Sequence, residues 1–443
     1  MPQDRDPPRR NDAIPRHHAA RAARTVDAAD FDVARYVRPG DVIAWGQCGA
    51  EPCTLTEALV AQRHAVGGRF TVMLGTSWSD TLAPEQADTI DFIAYSGSGT
   101  NRRLAEAGVL DILPVHYSQF ARALTSGPNR VDVLFLQVAP LDGGGYSLSI
   151  AHEYLVPLIR SARIVIAEVN AAAPCTHGAP VLTDADLDVL VRTNRVPLEL
   201  ARAPASDTEA TIARHAASLI DDGATLQCGV GALPEAILGL LADRRDLGIH
   251  SGTIGDAVAD LHERGIVTNA RKPGDDRGVT VAGTMMGSRR IYAFAHRNPA
   301  VQLRPTEYTH DIGVLGRLPR FTAINSAIEV DLTGQVNGEQ AGSRYLGAVG
   351  GAIDFMRGAA RSSGGLPMIV LPSRARDASR IVATLSGPVS IPRADAGVIV
   401  TEYGIADLRG LTLRQRVRKM LDIASPELRA TLADDAARAG LRF

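Results

Sequence analysis

The sequence predicts an α/β protein of two similar domains with mostly parallel sheets, and three observations predict it. The chain has 443 residues, more than one compact domain usually holds, so two units of roughly 200 residues each are expected. From Val37 onward, short apolar runs alternate with amphipathic stretches, the pattern of strands and helices in turn. A segment near the start of each half also repeats. Gly40-Asp-Val-Ile-Ala-Trp-Gly46 runs into a small-residue loop, Pro52 and a helical stretch, while Gly223-Ala-Thr-Leu-Gln-Cys-Gly229 runs into Val230-Gly231-Ala232-Leu233-Pro234 and a helical stretch. Each copy reads as turn, strand, glycine-rich loop and helix, with its two glycines six residues apart.

The elements follow in order. Residues 1–28 show Pro-Pro, Arg-Arg and His-His dipeptides without apolar periodicity, so a disordered leader is expected, with domains over 29–205 and 206–443. Buried strands are expected at Asp41–Trp45, Phe70–Leu74, Val131–Val138 and Ile164–Val169, with helical stretches at Thr56–Val66 and Glu153–Arg160. The Pro-containing segment Arg202–Ser206 separates the halves. A helix over Thr208–Ile220 then opens on Asp207 as its cap candidate, and Ala224–Cys228 is a strand. A second echo pairs Val131–Val138 and its glycine loop with Phe321–Asp331 and Thr333-Gly334-Gln335. Each is followed by a helix and a strand, Ile164–Asn170 and Met368–Pro372. Two such halves facing each other bring their glycine loops to a shared cleft, where open α/β sheets place ligands.

Composition excludes several classes. Hydrophobic residues at 45% and charged residues at 22% describe an ordinary globular core. A net charge of −2 and 5% aromatics offer neither a basic field nor a stacking platform, so no nucleic-acid partner is expected. Four cysteines without metal-ligand spacing argue against both a disulfide scaffold and a metal site, and fit a reducing, cytoplasmic setting. No apolar run reaches bilayer-spanning length and the first 25 residues lack a signal-peptide core, so no membrane association is expected.

At Gly229-Val230-Gly231-Ala232-Leu233-Pro234-Glu235-Ala236 the sequence resembles the coenzyme-A loop of the acetyl-CoA hydrolase/CoA-transferase family. Further motifs in the same order carry the resemblance: Leu136–Pro140, Ile166–Asn170, Thr176-His177-Gly178, Gly287-Ser288-Arg289-Arg290, Ala323–Val336, Val349-Gly350-Gly351, Ser379–Val382 and Val400–Gly404. The resemblance implies two CoA-transferase-type domains with the active site at their interface, a CoA thioester as substrate together with an acceptor, no metal, and a homo-oligomer. It implies that Gly229, Val230, Gly231, Ala232, Val349, Gly350 and Gly351 contact CoA or form an oxyanion hole, since backbone N–H groups at helix starts suit that task.

The same resemblance exposes a departure. In the family, a glutamate two residues after the His of a Gly-Ile-His-Ser/Thr-Glu motif attacks the thioester and then carries CoA as a glutamyl thioester. Here the motif reads Gly248-Ile249-His250-Ser251-Gly252-Thr253-Ile254-Gly255-Asp256, and Gly252 has no side chain. The catalytic candidates are therefore His250 as general base, the hydroxyls of Ser251 and Thr253, the vacated position Gly252, and Asp256. Asp256, Glu235 and Glu402 are the carboxylates to test as substitutes. Cys228 reads as an acyl carrier or as a small buried hydrophobe. Three functions remain open: direct acyl transfer from CoA to an amine, hydroxyl or water; a non-catalytic acyl-CoA-binding scaffold; and CoA transfer or hydrolysis with a relocated carboxylate.

Overall fold

The computed structural model describes residues 23–441 apart from Ala179, Arg202, Val230 and Asp377. Most of the expected leader, and Val230 of the expected CoA loop, lie outside the described residues. Two sheets carry the fold. The first contains β1 (Arg24–Val26), β2 (Val42–Trp45), β3 (Phe70–Leu74), β4 (Ile90–Ala94), β5 (Leu110–Ile112), β6 (Val133–Pro140), β7 (Ile164–Asn170) and β8 (Val189–Thr193). The second contains β9 (Thr225–Cys228), β10 (Gly248–Ile254), β11 (Thr280–Met285), β12 (Val301–Leu303), β13 (Phe321–Ser326), β14 (Leu366–Val370), β15 (Val398–Thr401) and β16 (Gly404–Asp407).

Spatial order turns the sequence repeat into an architectural one. The first sheet runs β5-β4-β3-β2-β6-β7-β8-β1 and the second runs β12-β11-β10-β9-β13-β14-β15-β16. Seven successive strands therefore correspond, β2 with β9 and β6 with β13 at the centre of each sheet. The eighth differs: β1 pairs parallel to β8, whereas β16 pairs antiparallel to β15 through a tight hairpin. Central strands buried on both faces read as continuous apolar runs, which is why Val131–Val138 and Ile164–Val169 stood out in the sequence; the observed strands span Val133–Pro140 and Ile164–Asn170. Both repeated strands lead into helices, Cys53–Ala61 after β2 and Ala232–Gly239 after β9.

Three expectations are corrected. Arg24–Val26, inside the expected leader, is a strand that pairs in register with Val189–Val191 and completes the sheet edge. Asp207 is the first residue of its helix, not the cap. Ser206 caps it, accepting from Glu209 N at 3.3 Å while the Glu209 carboxylate accepts from Ser206 N at 2.8 Å. Phe321–Asp331 is two strands: after Ser326 the chain leaves the main sheet, and Glu329–Asp331 joins Val336–Asn337 and Ile381–Val382 in a separate three-stranded sheet. Arg380 holds this break, its guanidinium donating to the carbonyls of Ala327 and Ile328.

No helix among the described residues is long and apolar enough to cross a membrane. All four cysteines are free and buried.

Candidate functional site

A cavity of about 170 Å³ opens where the C-terminal ends of the parallel strands of both halves meet. From the first half come Gln47, just past β2, Tyr95, just past β4, Tyr117 and Glu153. From the second come Gln227 on β9, Gly252 and Thr253 on β10, Met286, His310, Asn325 on β13, and the turn Gly350-Gly351-Ala352 with Phe355.

The first-half wall is a hydrogen-bonded cluster around one amide. Gln47 Nε2 donates to both carboxyl oxygens of Glu153 at 2.9 Å and to the Tyr117 hydroxyl at 3.0 Å. Its Oε1 accepts from Tyr95 at 2.8 Å and from Thr76 N at 3.0 Å, which fixes the amide's orientation. Glu153 sits at φ +33° and is 2% exposed. Burial raises its pKa to about 8, against the smaller opposing pull of the Gln47 and Tyr117 hydrogen bonds. Among the described residues no cation stands close enough to offset that burial, so near neutral pH this carboxyl holds or yields a proton readily.

The opposite wall is built around His310, which ends the short helix Thr306–Thr309. Its ring packs against Tyr117 (centroids 5.1 Å apart) and Phe355 (4.4 Å). A Cβ placed on Gly252 would lie 3.1 Å from His310 Cε1, 3.2 Å from Nε2 and 3.4 Å from Phe355 Cζ. One placed on Gly351 would lie 2.6 Å from both Cδ2 and Nε2 of the same ring. The imidazole is thus wedged between two glycines and fills the space in front of position 252. Burial, with His250 nearby as a lesser cause, lowers its pKa to about 3 and keeps the ring neutral.

Between these walls, Gln227 and Asn325 exchange hydrogen bonds across β9 and β13, at 3.3 and 3.0 Å, which leaves each amide a further N–H. Gly350 adopts φ +59°, a conformation costly for a side chain, and its carbonyl accepts from Tyr117 N at 2.9 Å. That bond ties the second-half turn to the first half.

The residues singled out in the sequence fall in different places. Gly252, Thr253, Gly350 and Gly351 line the cavity, and Val349 adjoins it in the chain. His250 lies on the strand two residues before Gly252, 0% exposed, with its Nδ1 3.7 Å from Asp276 Oδ2 and neither ring nitrogen hydrogen-bonded. Ser251 Oγ is turned to β9, where it donates to Cys228 O at 3.1 Å. Asp256 braces the start of the helix Arg289–Ala295, accepting from the Oγ of its cap Ser288 at 2.8 Å and from Ile291 N at 3.2 Å. Gly229, Gly231 and Ala232 form the open turn into the helix Ala232–Gly239, with Gly231 at φ +119° as its cap.

Of the three substitute carboxylates, Glu235 accepts from Ala257 N and Glu402 from Ser373 N and Oγ, and none of the three lines the cavity. Cys228 is buried and its thiol pKa is pushed up by burial. Sequence reasoning missed Gln47, Glu153 and His310. Gln47 alone had a signal, since it directly follows Gly46 at the end of the repeated strand.

Comparison with known proteins places both halves of the chain in one family. The family model for the acetyl-CoA hydrolase/transferase N-terminal domain matches residues 25–198, and that for the C-terminal domain matches residues 287–436. The chain is 34% identical over 399 residues to a 4-hydroxybutyrate coenzyme A transferase of Clostridium kluyveri, covering 89% of this chain and 93% of that one. It is 32% identical over 425 residues to a butyryl-CoA:acetate CoA-transferase of Anaerostipes caccae, covering 92% and 95%. The crystal structure of RipA from Yersinia pestis superposes with a TM-score of 0.87 at 31% identity, covering 94% of this chain and 98% of RipA. With both domain models matched and relatives aligned along nearly its full length, the chain belongs to the acetyl-CoA hydrolase/transferase family.

Proposed function

We propose that this protein uses an acyl-CoA thioester and passes the acyl group directly to a bound nucleophile, an amine, hydroxyl or water, without an enzyme glutamyl-CoA intermediate. One observation carries the reading: position 252, which the motif assigns to the nucleophilic glutamate, has no side chain, and His310 and Phe355 occupy the space in front of it. A mixed anhydride followed by a glutamyl thioester requires a carboxylate at the reacting carbon. The relatives' names describe CoA moving between acids; the departure at this position is what separates the proposed reaction from theirs.

What the site retains suits direct transfer. The turn Gly350–Gly351 and the amides of Gln227 and Asn325, which line the cavity, supply donors for a thioester carbonyl whose oxygen becomes negative. Holding donor and acceptor together while stabilising the oxyanion lowers a barrier by on the order of 10 kcal/mol, so loss of a covalent nucleophile is compatible with turnover.

A second reading has its own observation. Glu153 lines the same cavity and is a carboxyl from the other half of the molecule, available in principle as a relocated nucleophile. Its protonation and its clamp by Gln47 weigh against that role.

The test is a panel of acyl-CoAs incubated with amine, alcohol and carboxylate acceptors, with thiol release and acylated product followed by mass spectrometry. Direct transfer predicts thiol release coupled to an acyl-amine or ester. CoA appearing on the carboxylate overturns it, and binding of CoA without consumption of any thioester identifies a scaffold.

A further inference from the structure

Resting on the direct-transfer reading, we infer that His310 is the proton acceptor of the reaction and that the acyl acceptor is a small amine or alcohol, not a carboxylate. The imidazole occupies the space facing Gly252, and no Lys or Arg lines the cavity among the described residues.

The ring's hydrogen bonding is compatible with the tautomer that this role needs. Thr309 Oγ1 lies 2.9 Å from His310 Nδ1 and 3.5 Å from Pro305 O. With its hydrogen on Pro305 O, the hydroxyl accepts from Nδ1–H, which leaves the lone pair on Nε2, the nitrogen nearest Gly252 and Gly351. Tyr117 and Phe355 pack against the ring and restrict its rotation. A neutral base held in this way is placed for one task, removing a proton from a nucleophile that has entered the cavity.

The charge of the cavity selects that nucleophile. Among the described residues its one carboxyl is Glu153, which has no cationic partner there, and a second carboxylate brought in as acceptor would meet no compensating charge and a like charge once Glu153 ionised. An amine or an alcohol brings no negative charge and has the N–H or O–H that Nε2 requires.

The step balances. The acceptor's nitrogen or oxygen bonds to the thioester carbonyl carbon while Nε2 takes its proton. The resulting oxyanion collapses, the C–S bond breaks, and its electron pair leaves on sulfur. His310 then delivers the proton to sulfur, so CoA departs as the thiol and the ring returns to neutral. Because burial makes the imidazolium costly, it is short-lived, and proton delivery accompanies C–S cleavage.

The experiment uses the full chain with propionyl-CoA as donor and ethanolamine, glycerol or acetate as acceptor, reading free thiol and product masses. Wild type is expected to release thiol with ethanolamine or glycerol and not to form acetyl-CoA from acetate. His310→Gln is expected to lower kcat by at least about 100-fold, with the KM for propionyl-CoA changed by less than about threefold. Imidazole added to His310→Gly is expected to restore part of the rate, which a merely structural role would not allow; this variant also serves if His310→Gln folds poorly. Wild-type transfer to ethanolamine with His310→Gln within about threefold of its kcat overturns the role of His310 and leaves the direct-transfer reading standing. A propionyl adduct on His310 also overturns it, by making the ring a nucleophile. Acetyl-CoA formed from acetate, or no thiol release from any mixture, overturns both.

Discussion

Two buried carboxyl groups lie near strand β10, and they have opposite fates. Asp276 accepts from Arg304 at 2.6 Å and from the Tyr308 hydroxyl at 3.0 Å, with His250 3.7 Å away. Although burial alone raises a carboxyl pKa, His250, Lys272 and Arg304 together hold that of Asp276 well below the usual range. Glu153, on the cavity side, has a neutral amide and a phenol as its side-chain partners among the described residues, and its pKa is driven up to about 8. Desolvation acts in the same direction on both, so the surrounding charge decides the outcome. Where cations gather, the carboxylate is a fixed anion in a structural knot; where none does, the carboxyl is left able to exchange a proton, the condition that active sites favour.

Breaking the knot should have the largest effect. Arg304→Met leaves Asp276 buried beside fewer cations and removes a guanidinium that also stacks on Tyr308 at 4.5 Å. The expected loss is about 3–5 kcal/mol of stability, read as a lower urea midpoint. No measurable change in that midpoint would show that Lys272 and the Tyr308 hydroxyl suffice to compensate Asp276.

Glu153→Gln should act in the other direction on stability while impairing turnover. A folded-state pKa above the ordinary carboxyl value means that the folded protein binds more protons than the unfolded chain between about pH 4.5 and about pH 8. Stability from this group is complete below that window and is lost as pH rises through it, so the variant should gain thermal stability relative to wild type at pH 8 more than at pH 5. Tyr95, Tyr117, Tyr154 and Cys48, which surround the group, have pKa values raised above their usual ranges and do not titrate in this window. If protonated Glu153 takes part in turnover, wild-type kcat falls as pH passes about 8, and the variant loses that limb together with about 100-fold or less in rate. An identical high-pH limb in the variant would assign it to another group.

The histidines give an intermediate effect at acid pH. Burial lowers the pKa of His250 to about 4 and that of His310 to about 3. At these rings the unfolded chain therefore binds more protons than the folded one below about pH 6.5, opposite in sign to Glu153, so His310→Gln should make the melting temperature fall less between pH 6.5 and pH 4 than it does in wild type. An unchanged pH slope in the variant would contradict neutral burial of that ring.

Paired alanine substitutions should have the smallest effects and refine the picture of the cavity. At Gly351 the new Cβ meets the His310 ring at 2.6 Å, so the ring must move; at Gly252 the nearest approach is 3.1 Å and a slight adjustment suffices. Gly351→Ala should cost about 1–3 kcal/mol of stability and most of the activity, and Gly252→Ala less of both. Equal effects would show that His310 is not wedged between the two.

The scaffold was legible because it is written twice. Gly40…Gly46 and Gly223…Gly229 are local patterns, and the strands they flank sit at corresponding places in both sheets. Doubly buried central strands also leave apolar runs that need no partner to be recognised. The cavity was only half legible. Gly252, Gly350 and Gly351 came from motifs, because a missing side chain in a family pattern is visible in one dimension. His310 and Glu153 were not visible. His310 lies 58 residues beyond Gly252 in a short helix, and Glu153 belongs to the other half; only the meeting of the two sheets makes them neighbours of that glycine. The Asp207 cap failed for a local reason, since Ser206 and Glu209 form the reciprocal pair one position earlier.

The most direct measurement is the intact mass of the protein quenched in acid during steady turnover of propionyl-CoA with ethanolamine. Direct transfer predicts the unmodified mass, with no CoA adduct and no loss of activity on borohydride treatment. A protein species carrying CoA as a thioester, reducible by borohydride at a glutamate, would contradict the account.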